Sequence, residues 1–230
     1  MRIDPAGWPF VLGGLILGIA VLWLVHTVVG VAVLVLTTFF LFFFRDPDRV
    51  SDVPDSAVVS PADGRVMVAG APTVQTFPAQ DWQQISIFLS PTDVHVNRMP
   101  VSGRVTHVEY HPGRFLPAYR SNAGDLNEFT EVRVNHRGTT VVVRQIVGIL
   151  ARRIVCRVKA GDEVKAGDRF GVMKFGSRMD IFIPAGSTLQ TSVGDKVVGG
   201  VTLLATLPDR RDSTASDTAR ASAGISPVRA

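Results

Sequence analysis

Three short motifs hold most of the side chains that could do chemistry in this 230-residue chain. They are SPADGRV at 60–66, FLSPTDVHVNRMPVSG at 88–103 and KFGSRMDIFIP at 174–184. Between them they offer a serine hydroxyl directly after a glycine (Gly176–Ser177), a histidine (His95) and an aspartate (Asp63). A serine hydroxyl becomes a nucleophile when a base takes its proton and a third group orients that base. A glycine in front leaves the preceding carbonyl uncrowded and permits strained backbone angles. Arg98, Arg178 and Arg114 add guanidinium groups suited to two-point contact with a carboxylate or phosphate. Taken singly, each residue also has an ordinary reading. Asp63 in A-D-G suits a plain turn, His95 a half-exposed strand position, and Gly176–Ser177 a bulge. Arg178 suits an exposed strand site, and YHPGRF (110–115) a Pro-Gly turn.

Strands are the elements that must position these groups. AVVS (57–60), GRVMVA (64–69), QISIFLS (84–90), GRVTHVEY (103–110), FTEVRVNH (129–136) and TTVVVRQIVGIL (139–150) alternate or are rich in β-branched residues. Gly, Pro, Asn and Asp punctuate them, and HRGT (136–139) reads as a hairpin turn. Nothing past residue 50 holds a 3.6-residue apolar period. The stretch 153–186 contains two Lys-Ala-Gly-Asp repeats, at Gly161–Asp162 and Gly167–Asp168, and SVGDKVVGGVTLLA (192–205) repeats the pattern. Such runs resemble the hammerhead turns of biotinyl and lipoyl carrier domains, a hint about fold alone. The predicted fold is mainly β: an antiparallel domain with lipoyl- or hybrid-barrel-like hammerhead turns, behind an N-terminal hydrophobic helical hairpin.

From Trp8 to Phe44 the only strongly polar side chain is His26. One straight helix of that length would run about 55 Å, against a bilayer core of roughly 30 Å. A hairpin breaking near His26 to Gly30 fits better and puts Arg2 on the side of Arg45 and Arg49, the cytoplasmic side by charge bias. The apolar stretch is too long and the basic start too thin for a signal peptide. The expected organisation is a membrane hairpin over 1–45, a polar linker over 46–56, a catalytic β domain over 57–207 and a small, polar, disordered tail over 208–230. The formal charge of +4 suits an anionic partner. Without basic runs interleaved with aromatics, that partner is an anionic lipid surface and not nucleic acid. Cys156 is the single cysteine, which rules out an intrachain disulfide and reads as a small strand residue.

The three motifs, in this order and behind the hydrophobic segment, resemble the phosphatidylserine decarboxylase family in its short, single-domain, archaeal-type form. The resemblance runs from about residue 40 to about residue 207. It implies self-cleavage between Gly176 and Ser177, with Ser177 becoming a covalently bound pyruvoyl cofactor and no metal taking part. The cofactor would act as an electron sink for the carbanion left by CO₂ loss, yielding phosphatidylethanolamine. Asp63 and His95 are then the orienting group and the base, and His95 is also a candidate proton donor in turnover. Many bacterial relatives carry two histidines three residues apart in the second motif. Here the second position is Arg98, whose guanidinium stays protonated, so His95 carries the role, with His107 and His111 as stand-ins. Arg98 and Arg178, then Arg114, are the expected contacts for substrate anions; Asn127 and Glu128 match a family N-E pair. The implied partners are the anionic phospholipid substrate, the membrane, and the chain's own two cleavage products as a heterodimer, with a higher oligomer open.

Two other classes compete. A membrane-anchored lipoyl-like adaptor or carrier module without catalysis would share the layout, but an adaptor should show long coiled-coil heptads. A carrier should place its acceptor lysine on the hairpin turn, where Lys174 stands just before it. A zinc peptidase would need a tighter ligand set than D-V-H with His107 and His111.

Overall fold

The computed structural model describes residues 2–49, 52–74, 76–77, 80–149, 153–174 and 177–208. Gly176 and residues 209–230, nearly all of the tail expected to be disordered, therefore lie outside the described residues.

Two apolar helices, α1 (Trp8–Leu24) and α2 (Thr27–Phe43), form the hairpin. Pro5–Leu24 is long and apolar enough to cross a membrane by length and composition. The chain reverses at Val25–His26, where His26 caps α2 by accepting the Val28 amide on Nδ1 at 3.3 Å. Gly30, expected within the break, lies inside α2. Its role is close approach, since a Cβ there would sit 2.6 Å from the Leu22 backbone. Gly18 against Leu34 works the same way, so backbones without side chains set the seam between the helices. The outward faces stay apolar, with Ile16, Trp23, Leu24 and Val28 all exposed.

A two-stranded ribbon, β1 (Arg2–Ile3) with β2 (Arg45–Asp46), closes the base of the hairpin and brings Arg2 beside Arg45. The strands that follow are β3 (Ala57–Val59), β4 (Gly64–Gly70), β5 (Trp82–Leu89), β6 (Val96–Arg98), β7 (Gly103–His111), β8 (Phe129–His136) and β9 (Thr139–Ile146). After them come β10 (Ile154–Cys156), β11 (Glu163–Val164), β12 (Arg169–Met173), β13 (Ser177–Pro184), β14 (Thr188–Leu189), β15 (Lys196–Val197) and β16 (Leu203–Thr206). The one helix described after residue 50 is α3 (Ala123–Leu126). Eight strands in the order β11-β7-β8-β9-β13-β5-β4-β15 make an antiparallel sheet curled into a half-barrel. The small sheets β10-β12-β6 and β14-β16-β3 complete the domain. The core fills with alternate residues of these strands, such as Val141 and Val143 of β9, Ile85 and Ile87 of β5, and Met179, Ile181 and Ile183 of β13.

The Gly-Asp repeats fold as one device used three times. Gly161, Gly167 and Gly194 have φ of 99°, 86° and 99°, a region that strains any residue with a Cβ. The aspartate after each accepts the amide three residues before it: Asp162 from Lys159, Asp168 from Lys165 and Asp195 from Ser192, at 2.8–3.0 Å. Each glycine amide then docks on a backbone carbonyl, of Val105, Met99 or Val66.

The first residues of the segment read as a linker are bound to the β domain. Asp46 takes Arg98 and Arg169, Asp48 takes Arg169, and Arg49 clasps Asp63.

Candidate active site

Strand β13 lies between β9 and β5 and opens with Ser177, whose registered partner is Leu89. Its sequence alternates, so neighbours in the chain face opposite sides of the sheet. Ser177, Met179, Ile181 and Ile183 face the main core, while Phe182 belongs to a second cluster on the other side with Phe77, Val74 and Val142. Ser177 is fully buried, and its Oγ has no hydrogen-bond partner among the described residues. Buried polar atoms are nearly always paired, so an unpaired one calls for an explanation.

Three more unpaired atoms belong to the same region. Met179 pairs with Gln145 across the ladder, so Gln145 shares the face of Ser177 as its diagonal neighbour, about 7–8 Å away by sheet geometry. The Gln145 amide donates to Asn97 Oδ1 at 2.8 Å, and Gln145 lies over Gly171, where a Cβ would meet its amide nitrogen at 2.5 Å. Gln145 Oε1 and Asn97 Nδ2 are both buried and have no partner among the described residues. His95 stands two residues before Asn97, and its carbonyl takes the Met173 amide at the end of β12, four residues before Ser177. Its Nε2 is the fourth such atom.

The protonation of His95 follows from its surroundings. Nδ1 lies 2.9 Å from the Asp93 carbonyl, which can only accept, so Nδ1 carries the proton and Nε2 the lone pair. Burial takes the imidazole down from 6.5 to about 4; the Asp93 carbonyl and the Asp93 and Asp63 charges oppose this, and Arg45 adds to it. The ring is therefore neutral at pH 7 and offers a proton acceptor. Asp93 is set by a turn like those of the Gly-Asp repeats, its carboxylate accepting the Ser90 amide at 2.8 Å.

Other expected residues have different partners. Asp63 makes no hydrogen bond to His95: it accepts two from Arg49, at 2.6 and 2.8 Å, and one from the Gly199 amide. The group that orients His95 directly is the Asp93 carbonyl. Arg98 is buried and donates to Asp46, to the Pro47 carbonyl and to the Gly167 carbonyl, tying the hairpin exit to the domain. Arg178, expected beside the reacting centre, lies on the opposite face from Ser177. There it donates twice to Asp180 (2.6 and 3.0 Å) and once to Ser86 (3.0 Å). Arg114 has an exposed side chain, and its backbone pairs with Leu126 and Glu128. Asn127, which had no role from sequence, staples that loop by bonding both backbone groups of Leu116 and the Val147 carbonyl. His107 and His111 flank Glu109 at 3.0 and 3.3 Å on β7, three strands from β13 or roughly 14 Å across the sheet.

A family model described as phosphatidylserine decarboxylase matches residues 36–205. The chain belongs to the phosphatidylserine decarboxylase family. A phosphatidylserine decarboxylase proenzyme of Symbiobacterium thermophilum is 44% identical over 204 residues, covering 88% of this chain and 94% of the relative. One from Geotalea uraniireducens is 42% identical over 207 residues, covering 90% and 97%. One from Prosthecochloris aestuarii is 43% identical over 176 residues, covering 76% and 81%. The lengths agree with the short form of this decarboxylase family, and the chain is an enzyme of it.

Within that family frame, Asn97, Gln145 and Asp93 are the residues that motif reasoning missed. Gln145 carried a signal, being a lone uncharged polar side chain in the β-branched run 141–147. Asn97 shares a strand face with His95 by simple alternation.

Proposed function

We propose that this chain cleaves itself between Gly176 and Ser177 and then decarboxylates phosphatidylserine to phosphatidylethanolamine with the pyruvoyl group formed from Ser177. The observation that carries the reading is a fully buried serine whose hydroxyl has no partner among the described residues, in a domain that also buries a neutral histidine with a free ring nitrogen and in a chain whose relatives are named proenzymes. His95 Nε2 takes the Ser177 hydroxyl proton as Oγ bonds to the Gly176 carbonyl carbon. The C–N bond of that peptide then breaks and the nitrogen takes up a proton, leaving an ester. Loss of the Ser177 α-proton expels the ester oxygen, so that residues 1–176 end in a carboxylate. The residual enamine adds water and loses ammonia to become the pyruvoyl group. Asn97 Nδ2, a buried donor without a partner among the described residues, would meet the negative charge that develops on the attacked carbonyl oxygen. The fit of the group rests on Ser177: its side chain is fully buried, with no competing partner among the described residues.

When bound, the pyruvoyl carbonyl supplies an electron sink for the carbanion left by CO₂ loss. His95 would hold the proton that returns to carbon, and the buried face excludes water from it. Asp63 acts on His95 through space as a charge and holds Arg49 in place. The apolar hairpin brings the enzyme to its lipid, with the β domain on the cytoplasmic side. The experiment is an intact-mass measurement of the purified protein, with products ending at Gly176 and beginning with a blocked residue 177 expected. A decarboxylating chain that remains whole would sink the mechanism.

A further inference from the structure

We propose that the base of the hairpin is a working wall of the active site, with Phe43 positioning His95 and shielding it from water while Arg45 holds the loop that orients it. The inference rests on the reading of His95 as the base.

The hairpin changes character along its length. Leu36, Phe39 and Phe42 are exposed, whereas Phe43 and Phe44 are completely buried. The Phe43 ring lies 4.0 Å, centroid to centroid, from the His95 imidazole at an angle of 33°. Arg45 stacks over Phe42 at 3.9 Å and donates to the Phe42 carbonyl at 2.9 Å and to the Thr92 carbonyl at 2.7 Å. Thr92 belongs to the turn Ser90–Asp93, and the Asp93 carbonyl holds His95 Nδ1. A continuous path thus runs from the last turn of α2 to the imidazole. The other side of the junction is tied as firmly. The Asp4 amide donates to the Phe44 carbonyl, the Asp4 carboxylate binds Arg157 at 2.7 Å, and Lys174 sits over the rings of Phe10 and Phe44 at 4.8 and 5.9 Å. Lys174 follows β12 and stands three residues before Ser177 in the chain, so the hairpin touches both His95 and the residue that leads out of β12.

A membrane anchor alone needs none of these contacts. The charged or titratable groups acting on His95 are Arg45 from β2 and Asp93 and Asp63 from the loops, with uncharged Phe43 from α2 and the Met173 amide from β12. Phe43 is the group among them that excludes water by bulk. Removing its ring lets water reach the imidazole, so the charged form is no longer penalised as strongly.

The test is a ¹⁵N-histidine NMR titration of the full chain in detergent micelles, carried in Ser177→Ala so that the sample stays uniform whether or not the native chain cuts itself. We expect His95 to titrate near 4 with Phe43 present. In Phe43→Ala the midpoint should rise by at least one pH unit, and in Phe43→Leu, which restores bulk, it should return close to the parent value. An unchanged midpoint in a folded Phe43→Ala chain overturns the inference, because a merely structural Phe43 would alter stability without moving that signal. If Phe43→Ala yields no protease-resistant domain, Arg45→Lys replaces it. Lysine keeps the charge but lacks the fork that spans the Phe42 and Thr92 carbonyls, so the His95 Nδ1–H signal should broaden or shift. A parent-like spectrum there also overturns the inference. Cleavage of the serine-bearing chain is followed separately: if it never cuts while the titration shifts, the proposed function fails and what stands is the shielding of His95 by Phe43 alone.

Discussion

The two faces of β13 use polar side chains in opposite ways. On the outer face every partner is matched: Arg178 binds Asp180 and Ser86, Gln84 binds both of these, and Arg144 binds Glu131 at 2.8 Å. Arg144 is further stacked over Phe129 at 4.4 Å. On the inner face Ser177 Oγ and Gln145 Oε1, and with them Asn97 Nδ2 and His95 Nε2, are buried without partners among the described residues. A saturated network rigidifies; unpaired atoms in low dielectric are costly and persist where chemistry needs them free. The outer face thus holds the strand that the inner face uses.

That contrast breaks most visibly at Ser177. Ser177→Ala should remain a single 24.8 kDa chain with complete loss of cleavage and activity and an unchanged denaturation midpoint, read on a gel and by urea titration. Cleavage of this variant would show that the nucleophile lies elsewhere. The largest stability effect belongs to the outer face. Arg178→Ala leaves Asp180 buried and uncompensated, at a cost of about 3–5 kcal/mol. A folded, stable Arg178→Ala chain with only a raised KM would return Arg178 to substrate binding.

The inner face should show itself in pH dependence. His95 titrates at 6.5 when unfolded and at about 4 when folded, so between these values the unfolded chain binds more protons. Stability is full above 6.5 and falls as pH drops toward 4, by about 3 kcal/mol in total. Chemical denaturation of Ser177→Ala at pH 7.5 and 4.5, with and without His95→Gln, measures this; parallel curves would remove the buried neutral histidine. Asn97→Ala should slow cleavage by about 10²-fold or more, as loss of an oxyanion donor does, and should also cost about 1–3 kcal/mol of stability because it removes the acceptor of the buried Gln145 amide. Kinetics at the native rate would assign Asn97 to packing. The smallest effects are expected at the exposed cluster on β7. His107→Ala and His111→Ala should each leave the cleavage rate unaltered and stability within about 0.5 kcal/mol.

Local rules in the sequence carried most of the fold. Gly-Asp spacing specified three turns, HRGT specified the β8–β9 hairpin with Arg137 and Gly138 at positive φ, and β-branched runs specified the central strands within a residue or two, except that β9 ends at Ile146, four residues before the run 139–150 does. What escaped was non-local. Arg49 reaches Asp63 across 14 residues, and Gly199 reaches it across 136. Phe43 is one of five phenylalanines within Phe39–Phe44, with nothing in the sequence to mark it as the ring that meets His95. Arg178 was misplaced because adjacency to Ser177 in the chain means opposite faces in a strand, a rule the sequence did contain.

The position of β13 inside the sheet has a consequence for life after maturation. A break before Ser177 leaves the new terminus clamped between β9 and β5, with eight registered residues on one side and five on the other. The later strands β15 and β16 remain laced to β4 and β3. The fragments cannot drift apart without unravelling the domain, and their rejoining would be a second-order encounter that dilution defeats. The proposed cleavage would therefore make opening a one-way event: an uncut chain would refold as a single molecule, while a cut one, once opened, would have to find its other half.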